Sequence, residues 1–259
     1  MKKLAVCVLS ALSVSAYAED DSKTWSADAE FGLISTSGNT TTSSVKAKLD
    51  VSQELTQWRN QYILEGLYKQ DEVDVTEDSV TTKENQTTAQ KYFASVQADY
   101  KLDAEHKGLF VYGSYEDDRF SGYAYQGTFA LGYSDRLFKT DKSRLNYSVG
   151  PGIAFSKTED TVEDDVVTEG VENQNAVVRF SAAYLYQISE NAKFTQSLSS
   201  DVSADSGENS KTKAETALTA NISSAFALKA SFTVNHNTHV PEEKKHADTQ
   251  TAITLVFSY

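Results

Sequence analysis

Thr249, Thr251, Ile253, Leu255, Phe257 and Tyr259 fall on one face of the last eleven residues, while Gln250, Ala252, Thr254, Val256 and Ser258 fall on the other. A repeat of two is the mark of a β-strand with unlike faces. The same repeat runs back to Trp25 and divides the chain into twelve segments. Each is close to the ~9 to 11 residues that a tilted membrane-spanning strand requires.

The apolar faces begin with Trp25, Ala27, Ala29, Phe31 and Leu33, then Val45, Ala47, Leu49 and Val51. Tyr62, Leu64 and Tyr68 mark the third segment, and Tyr92, Ala94, Val96, Ala98, Tyr100 and Leu102 the fourth, with polar residues expected opposite. The fifth shows Leu109, Val111 and Tyr115, a choice of phase that turns Phe110 and Tyr112 inward. Tyr123, Tyr125, Phe129, Leu131 and Tyr133 give the sixth, and Leu145, Tyr147, Val149, Ile153 and Phe155 the seventh. Val178, Phe180, Ala182, Tyr184 and Tyr186 form the eighth; Phe194, Leu198 and Val202 the ninth; Ala214, Leu218, Ala220 and Ile222 the tenth. Leu228, Ala230, Phe232 and Val234 complete the eleventh, before the C-terminal segment.

Charge placement gives this pattern its meaning, because a lysine or arginine facing lipid costs about 2–4 kcal/mol at mid-bilayer. None of the twelve apolar faces carries a charge. The opposite faces hold eight acids, Asp28, Glu30, Asp50, Glu65, Asp99, Glu116, Asp201 and Glu215. They also hold ten bases, Lys46, Lys48, Arg59, Lys69, Lys91, Lys101, Arg144, Arg179, Lys213 and Lys229. The sequence therefore predicts an all-β fold, a 12-stranded antiparallel transmembrane barrel of the bacterial outer membrane. The connections agree, with short turns at 53–57, 103–107, 134–142, 188–193 and 223–227 and two long loops at 71–87 and 157–174. An even strand count with short turns at the end that holds both termini places those termini in the periplasm.

The N-terminus reads as an export signal over residues 1–18, with Lys2 and Lys3, an apolar run from Leu4 to Val14, and a small-x-small site at Ala16-Tyr17-Ala18. Residues 19–259 then form the barrel domain. Cys7 lies inside the signal, so the mature chain has no cysteine and uses neither disulfides nor thiols. No stretch approaches the ~20 apolar residues of a spanning helix, which leaves a closed barrel as the way across a membrane. A mean hydropathy of -0.46 looks soluble, but a barrel exposes only alternate residues to lipid. Two prolines among 259 residues, with 14 Tyr and 12 Phe, suit long strands.

Without Lys2 and Lys3 the chain carries 22 bases against 37 acids, a net charge of -15, whereas the inward faces sum to +2. The connections and N-terminal tail are thus strongly acidic, and the two long loops hold thirteen acids against Lys83 and Lys157. Such a surface repels nucleic acid and lipid phosphate unless divalent cations intervene at the acidic external loops. The expected partners are outer-membrane lipids and lipopolysaccharide, together with the barrel-assembly machinery acting on the C-terminal strand.

Several stretches resemble the YdiY-like proteins, a family of bacterial outer-membrane proteins described as salt-induced and of undefined function. They are Ser37-Gly38-Asn39-Thr40 and its continuation to Ser44, Gly150-Pro151-Gly152, Ser189 to Gln196, and Phe226-Ala227-Leu228-Lys229 up to Pro241-Glu242. The resemblance spans nearly the whole mature chain, implies an outer-membrane location and a link to salt or envelope stress, and supplies no catalytic or ligand residues. Each motif also has a local reason. Gly38-Asn39 suits a tight hairpin, Ser189-Glu190-Asn191 a periplasmic turn, and Pro151, which cannot donate to a ladder, a bulge or strand end.

Candidate chemistry is sparse. His236, His239 and His246, with Glu242, Glu243 and Asp248, converge on the last external loop and raise the idea of a zinc or copper site, but their spacing fits no compact motif and Lys244 and Lys245 oppose a cation. A lipid-acting barrel enzyme would need a Ser–His pair near the membrane boundary; His236 is placed for one, yet no Gly-x-Ser-x-Gly elbow occurs. No catalytic residue and no cofactor is expected. The lumen is the stronger candidate, since twelve strands enclose more than side chains fill in ~8-strand barrels. Lys46, Lys48, Arg59, Arg144 and Arg179 opposite Asp50, Glu65, Asp99 and Glu215 are its expected lining. They either line a narrow passive path for small solutes or ions, or pair and seal a purely structural envelope barrel. No long loop is apolar enough to form a plug.

Overall fold

The computed structural model describes residues 24–36, 42–77, 80–103, 106–118, 121–163, 166–240 and 245–259. Residues 1–18, read above as an export signal, Gly38-Asn39, read as a tight hairpin, and Pro241-Glu242 lie outside this set. In chain order the strands are β1 (Trp25–Thr36), β2 (Thr42–Glu54), β3 (Trp58–Glu77), β4 (Val80–Lys101), β5 (Lys107–Asp118), β6 (Tyr123–Lys139) and β7 (Ser143–Thr158). There follow β8 (Thr161–Glu163), β9 (Val166–Thr168), β10 (Glu172–Ser189), β11 (Ala192–Ser203), β12 (Lys211–Asn221), β13 (Phe226–Asn237) and β14 (Ala247–Ser258).

Twelve of them, all but β8 and β9, close into one antiparallel barrel in which chain neighbours pair and β14 returns to β1. Closure follows from the sequence pattern. One face of every strand is apolar, and in hydrocarbon a sheet edge would leave backbone groups without water or partner. Large side chains such as Leu64, Leu131, Leu218 and Ile253 stand exposed on the outer face, while the inner face is polar. Aromatic pairs gird the short-turn end: Trp58 meets Tyr100 at 5.3 Å, Phe226 meets Phe257 at 5.4 Å, and Tyr184 meets Phe194 at 6.5 Å. Tyr115, Tyr125 and Phe155 form a second group toward the other end. The eight steps from Tyr92 to Tyr100 rise about 20 Å along a tilted strand, a spacing that fits two interfacial girdles around a lipid-facing band.

The structure corrects several expectations. The 71–87 loop is a β-ribbon, because β3 and β4 stay in register from Trp58↔Tyr100 to Glu77↔Val80. The 157–174 loop shrinks to 159–171 and, among its described residues, holds the hairpin β8–β9. The 134–142 turn is mostly strand, since β6 continues to Lys139 through a bulge between Arg136 and Phe138. A second bulge, between Tyr123 and Tyr125, turns Tyr123 away from the lipid face. It is buried, and its hydroxyl donates to the His239 carbonyl at 3.2 Å. The inner face of β4 is not wholly polar, because Phe93 points inward beneath the Lys213 ammonium, 5.3 Å from its ring centre. Phe110 and Tyr112 do face inward and are buried.

Neither a bulge nor a strand end occurs at Pro151. The β6–β7 pairing runs through Ala130↔Gly152 and resumes in the same register at Tyr133↔Val149. Glycines on both strands make this possible. A Cβ on Gly132 would lie 2.6 Å from the Gly150 Cα, and one on Gly150 would lie 2.7 Å from the Gly132 Cα. A Cβ on Gly66, by contrast, meets nothing within 4 Å. Gly150→Val should therefore destabilise the refolded barrel by about 1–3 kcal/mol, and Gly66→Ala should stabilise it by about 0.4–1 kcal/mol. Denaturant titration in lipid vesicles measures both.

Candidate functional site

Every strand sends alternate residues into the bore, and the β-period alone brings acids and bases of adjacent strands side by side. Lys48 on β2 lies 3.7 Å from Asp50 and 4.0 Å from Glu30 on β1. Lys229 on β13 bridges Glu30 at 2.8 Å and Glu215 on β12 at 2.9 Å, and Thr233 donates to the other Glu215 oxygen at 3.3 Å. Lys91 on β4 contacts Glu116 on β5 at 3.0 Å. Arg179 on β10 binds Asp201 on β11 at 2.7 Å and lays its guanidinium 3.4 Å from the centre of the Tyr112 ring on β5. Thr128 on β6 donates to the second Asp201 oxygen at 2.8 Å.

Other contacts cross the bore. Lys213 on β12 reaches Glu65 on β3 at 3.1 Å, and Lys211 reaches Glu116 on β5. In each pair the strands lie five places apart around a ring of twelve. A circular ring of twelve tilted strands would hold opposite backbones roughly 23 Å apart. Lysine, glutamate and one hydrogen bond span at most about 14 Å. The cross-section is therefore flattened, with the β3–β5 wall drawn toward β12. The two bridging lysines keep side-chain exposures of 27% and 24%, against 9% for Lys229, while their partners Glu65 and Glu116 are as buried as the Lys229 knot.

The flattened waist divides the lumen. On the short-turn side a vestibule of about 380 Å³ is lined by Arg59, Asp99, Arg136 and Arg144. Next comes a chamber of about 360 Å³ that shares Gln61 and Gln97 with the vestibule and is walled by Lys48, Asp50, Arg179, Glu215 and Lys229. Glu65 and Lys213 form its boundary with a third chamber of about 580 Å³ toward the long-loop end. That chamber carries Lys46, Lys69, Lys91 and Lys211 as well as Lys213, with Glu65, Glu116, Asp118 and Asp248 as its carboxylates.

All nine residues singled out from the sequence line these spaces. Lys46 pairs weakly with Glu65 at 3.9 Å, Asp50 accepts from Gln61 at 2.9 Å, Asp99 accepts from Gln97 at 3.1 Å, and Arg59 binds Glu54 at 3.1 Å. Arg144 lines the vestibule without an ion-pair partner among the described residues. The cross-bore role of Lys213 was not legible, although its inward phase was, and Lys211 lay beyond the expected start of its segment. Continuing the inward parity from Lys213 two residues back would have found it.

The last loop gathers less. His236 and His246 stack at 6.4 Å, while His239 turns to Thr238 at 3.3 Å. Among the described residues no group of three or more His, Cys, Asp or Glu converges as metal ligands, and no hydrogen bond joins His236 to a serine. Glu242, Glu243 and Lys244 lie outside the described residues.

A closed antiparallel barrel with a greasy exterior, aromatic girdles and an ion-paired bore defines an outer-membrane-type β-barrel. Within that class, the chain belongs to the family described as "Protein of unknown function, DUF481", whose model matches residues 29–259. It is 26% identical over 228 residues to the uncharacterized protein YdiY of Escherichia coli K12, an alignment covering 88% of this chain and 80% of YdiY. Its fold matches the translocator domain of the autotransporter NalP from Neisseria meningitidis with a TM-score of 0.50 at 9% identity, covering 92% of this chain and 89% of that one. The NanC porin aligns with a TM-score of 0.49 at 12% identity, over 89% of this chain and 98% of the porin.

The Lys229 knot yields a test of how the bore is held. Lys229→Met leaves Glu30 and Glu215 as facing buried carboxylates and should cost about 3–5 kcal/mol. Adding Glu30→Gln and Glu215→Gln should restore most of that loss. Denaturation midpoints of the refolded single and triple variants read the difference.

Proposed function

We propose that this protein is a narrow passive channel of the bacterial outer membrane, with periplasmic termini, that admits water, small ions and small polar solutes. The observation that carries this reading is the run of three chambers along the bore, of which the second and third meet at the Lys213–Glu65 bridge rather than at packed apolar side chains. Bridges of this kind can swing aside, because each lysine has a flexible stem and partial access to water. Mixed charge on the walls keeps ionic selectivity weak, since neither sign dominates the potential along the path. Outer-membrane lipids and lipopolysaccharide surround the barrel in this reading. Divalent cations screen its acidic long-loop end, and the assembly machinery engages β14. No catalytic step is involved.

One observation favours a second reading, a structural barrel with a sealed bore: Lys213–Glu65 and Lys211–Glu116 already cross the waist. Planar-bilayer recording on the refolded mature chain separates the two. The channel reading expects small, reproducible single-channel steps that grow about twofold or more in Lys211→Ala/Lys213→Ala, because the constriction is removed. Arg144→Glu should shift the reversal potential toward cation preference. Silence from both the wild-type chain and the double variant would establish the sealed barrel.

A further inference from the structure

Two lysines of the long-loop chamber share a single carboxylate. Lys46 on β2 stands 3.9 Å from one oxygen of Glu65, and Lys213 on β12 binds the other at 3.1 Å. Elsewhere in this space the touching charges match, since Lys91 and Lys211 have Glu116 and Asp118, and Lys69 has Asp71 at 2.7 Å. The carboxylates of the neighbouring chamber cannot make up the difference, because Lys48 and Lys229 engage Glu30, Asp50 and Glu215. Among the described residues, the Lys46–Glu65–Lys213 group is thus the point of the chamber where bases outnumber the acids that touch them.

Lys46 is the sharper of the two lysines. Its side chain is only 6% exposed, yet it lines the chamber. Its ammonium can donate three hydrogen bonds and, among the described residues, has no acceptor for any of them, because Glu65 at 3.9 Å is beyond hydrogen-bonding distance. Its register partners supply none from their side chains, being Gly32 on β1 and Leu67 on β3. Gly32 and Ala252 also keep the wall beside Lys46 low, which leaves room in the 580 Å³ chamber for a solute to lie against it. Lys213 contributes a more accessible ammonium that spends one bond on Glu65. Water can fill empty donor positions, but it leaves the surplus positive charge in place.

We propose that Lys46 and Lys213 form a subsite for the oxyanion head, carboxylate or phosphate, of a small solute that enters the chamber from the long-loop end. The two ammoniums meet different oxygens of Glu65, so they stand within a carboxylate's width and two contacts of each other, and an oxyanion seated beside Glu65 can accept from both. Glu65 opposes that anion and keeps its hold weak enough for release, as passage through a bore requires. As the solute class of a channel this rests on the reading above. Occupancy of the subsite does not need a bore open from end to end.

Equilibrium binding to the refolded mature barrel, in a phosphate-free detergent at constant ionic strength, tests it without any current. Methyl phosphate followed by 31P NMR and fluoroacetate followed by 19F NMR should show saturable line broadening in at least one case, and the tighter of the two names the head. Lys46→Met, which leaves Glu65 with Lys213, should weaken binding about fivefold or more, whereas Lys69→Met, which removes an ammonium already held by Asp71, should weaken it less than about twofold. Glu65→Gln should tighten binding several-fold by removing the opposing charge. No saturation with either probe, equal losses in the two lysine variants, or weaker binding in a folded Glu65→Gln barrel would overturn the subsite. Saturable binding by a barrel that is silent in bilayers would remove the channel reading and leave the subsite standing, and currents without binding would do the reverse.

Discussion

The absence of water in hydrocarbon governs this molecule, because a backbone N–H or C=O left without a partner there costs several kcal/mol. Twelve strands with one greasy face can meet that condition only by pairing in a ring. The same constraint makes departures from full pairing informative. At Pro151 the ladder lacks a donor, and the register holds because Gly132 and Gly150 let the two backbones approach. At the β1–β14 seam four positions are in register, Asp28↔Ser258 to Phe31↔Leu255, fewer than at any other junction of the ring.

Inside the ring the problem is reversed. Buried charges must be paired, and the bore solves this at two levels. Strands one or two places apart supply buried knots such as Glu30–Lys229–Glu215, in which Lys229 on β13 reaches past β14 to β1 and sideways to β12. Near-opposite strands supply cross-bore bridges, Lys213–Glu65 and Lys211–Glu116, which exist only because the barrel is flattened. Tyr112 and Phe93 support the flattened waist by giving Arg179 and Lys213 an aromatic face to rest against. The bore is thus lined by charges of both signs along its length.

Much of this was readable from residue order. Leu64, Leu131 and Ile253 announce a lipid face by alternation, and Phe110 and Tyr112 follow the same parity inward although their chemistry suggests the reverse. All nine expected lining residues reach the bore for the same reason. Misreadings cluster where the period breaks. Tyr123 was assigned to lipid because a bulge is invisible to strict alternation, and the 71–87 ribbon looked like a loop because its acidic, polar composition hides strand pairing. The inward Phe93 departs from a polar inner face on β4, where it packs against Lys213.

Residue order by itself determined the strand type, the number of barrel strands and the face each side chain takes, since the period of two is a property of the local backbone and the hydrocarbon solvent forbids charge on one side. Tertiary structure decided which charges meet across the lumen, how far the ring is compressed, and where the seam ends. Those depend on closure and stagger summed over all twelve strands, a distance no single strand encodes.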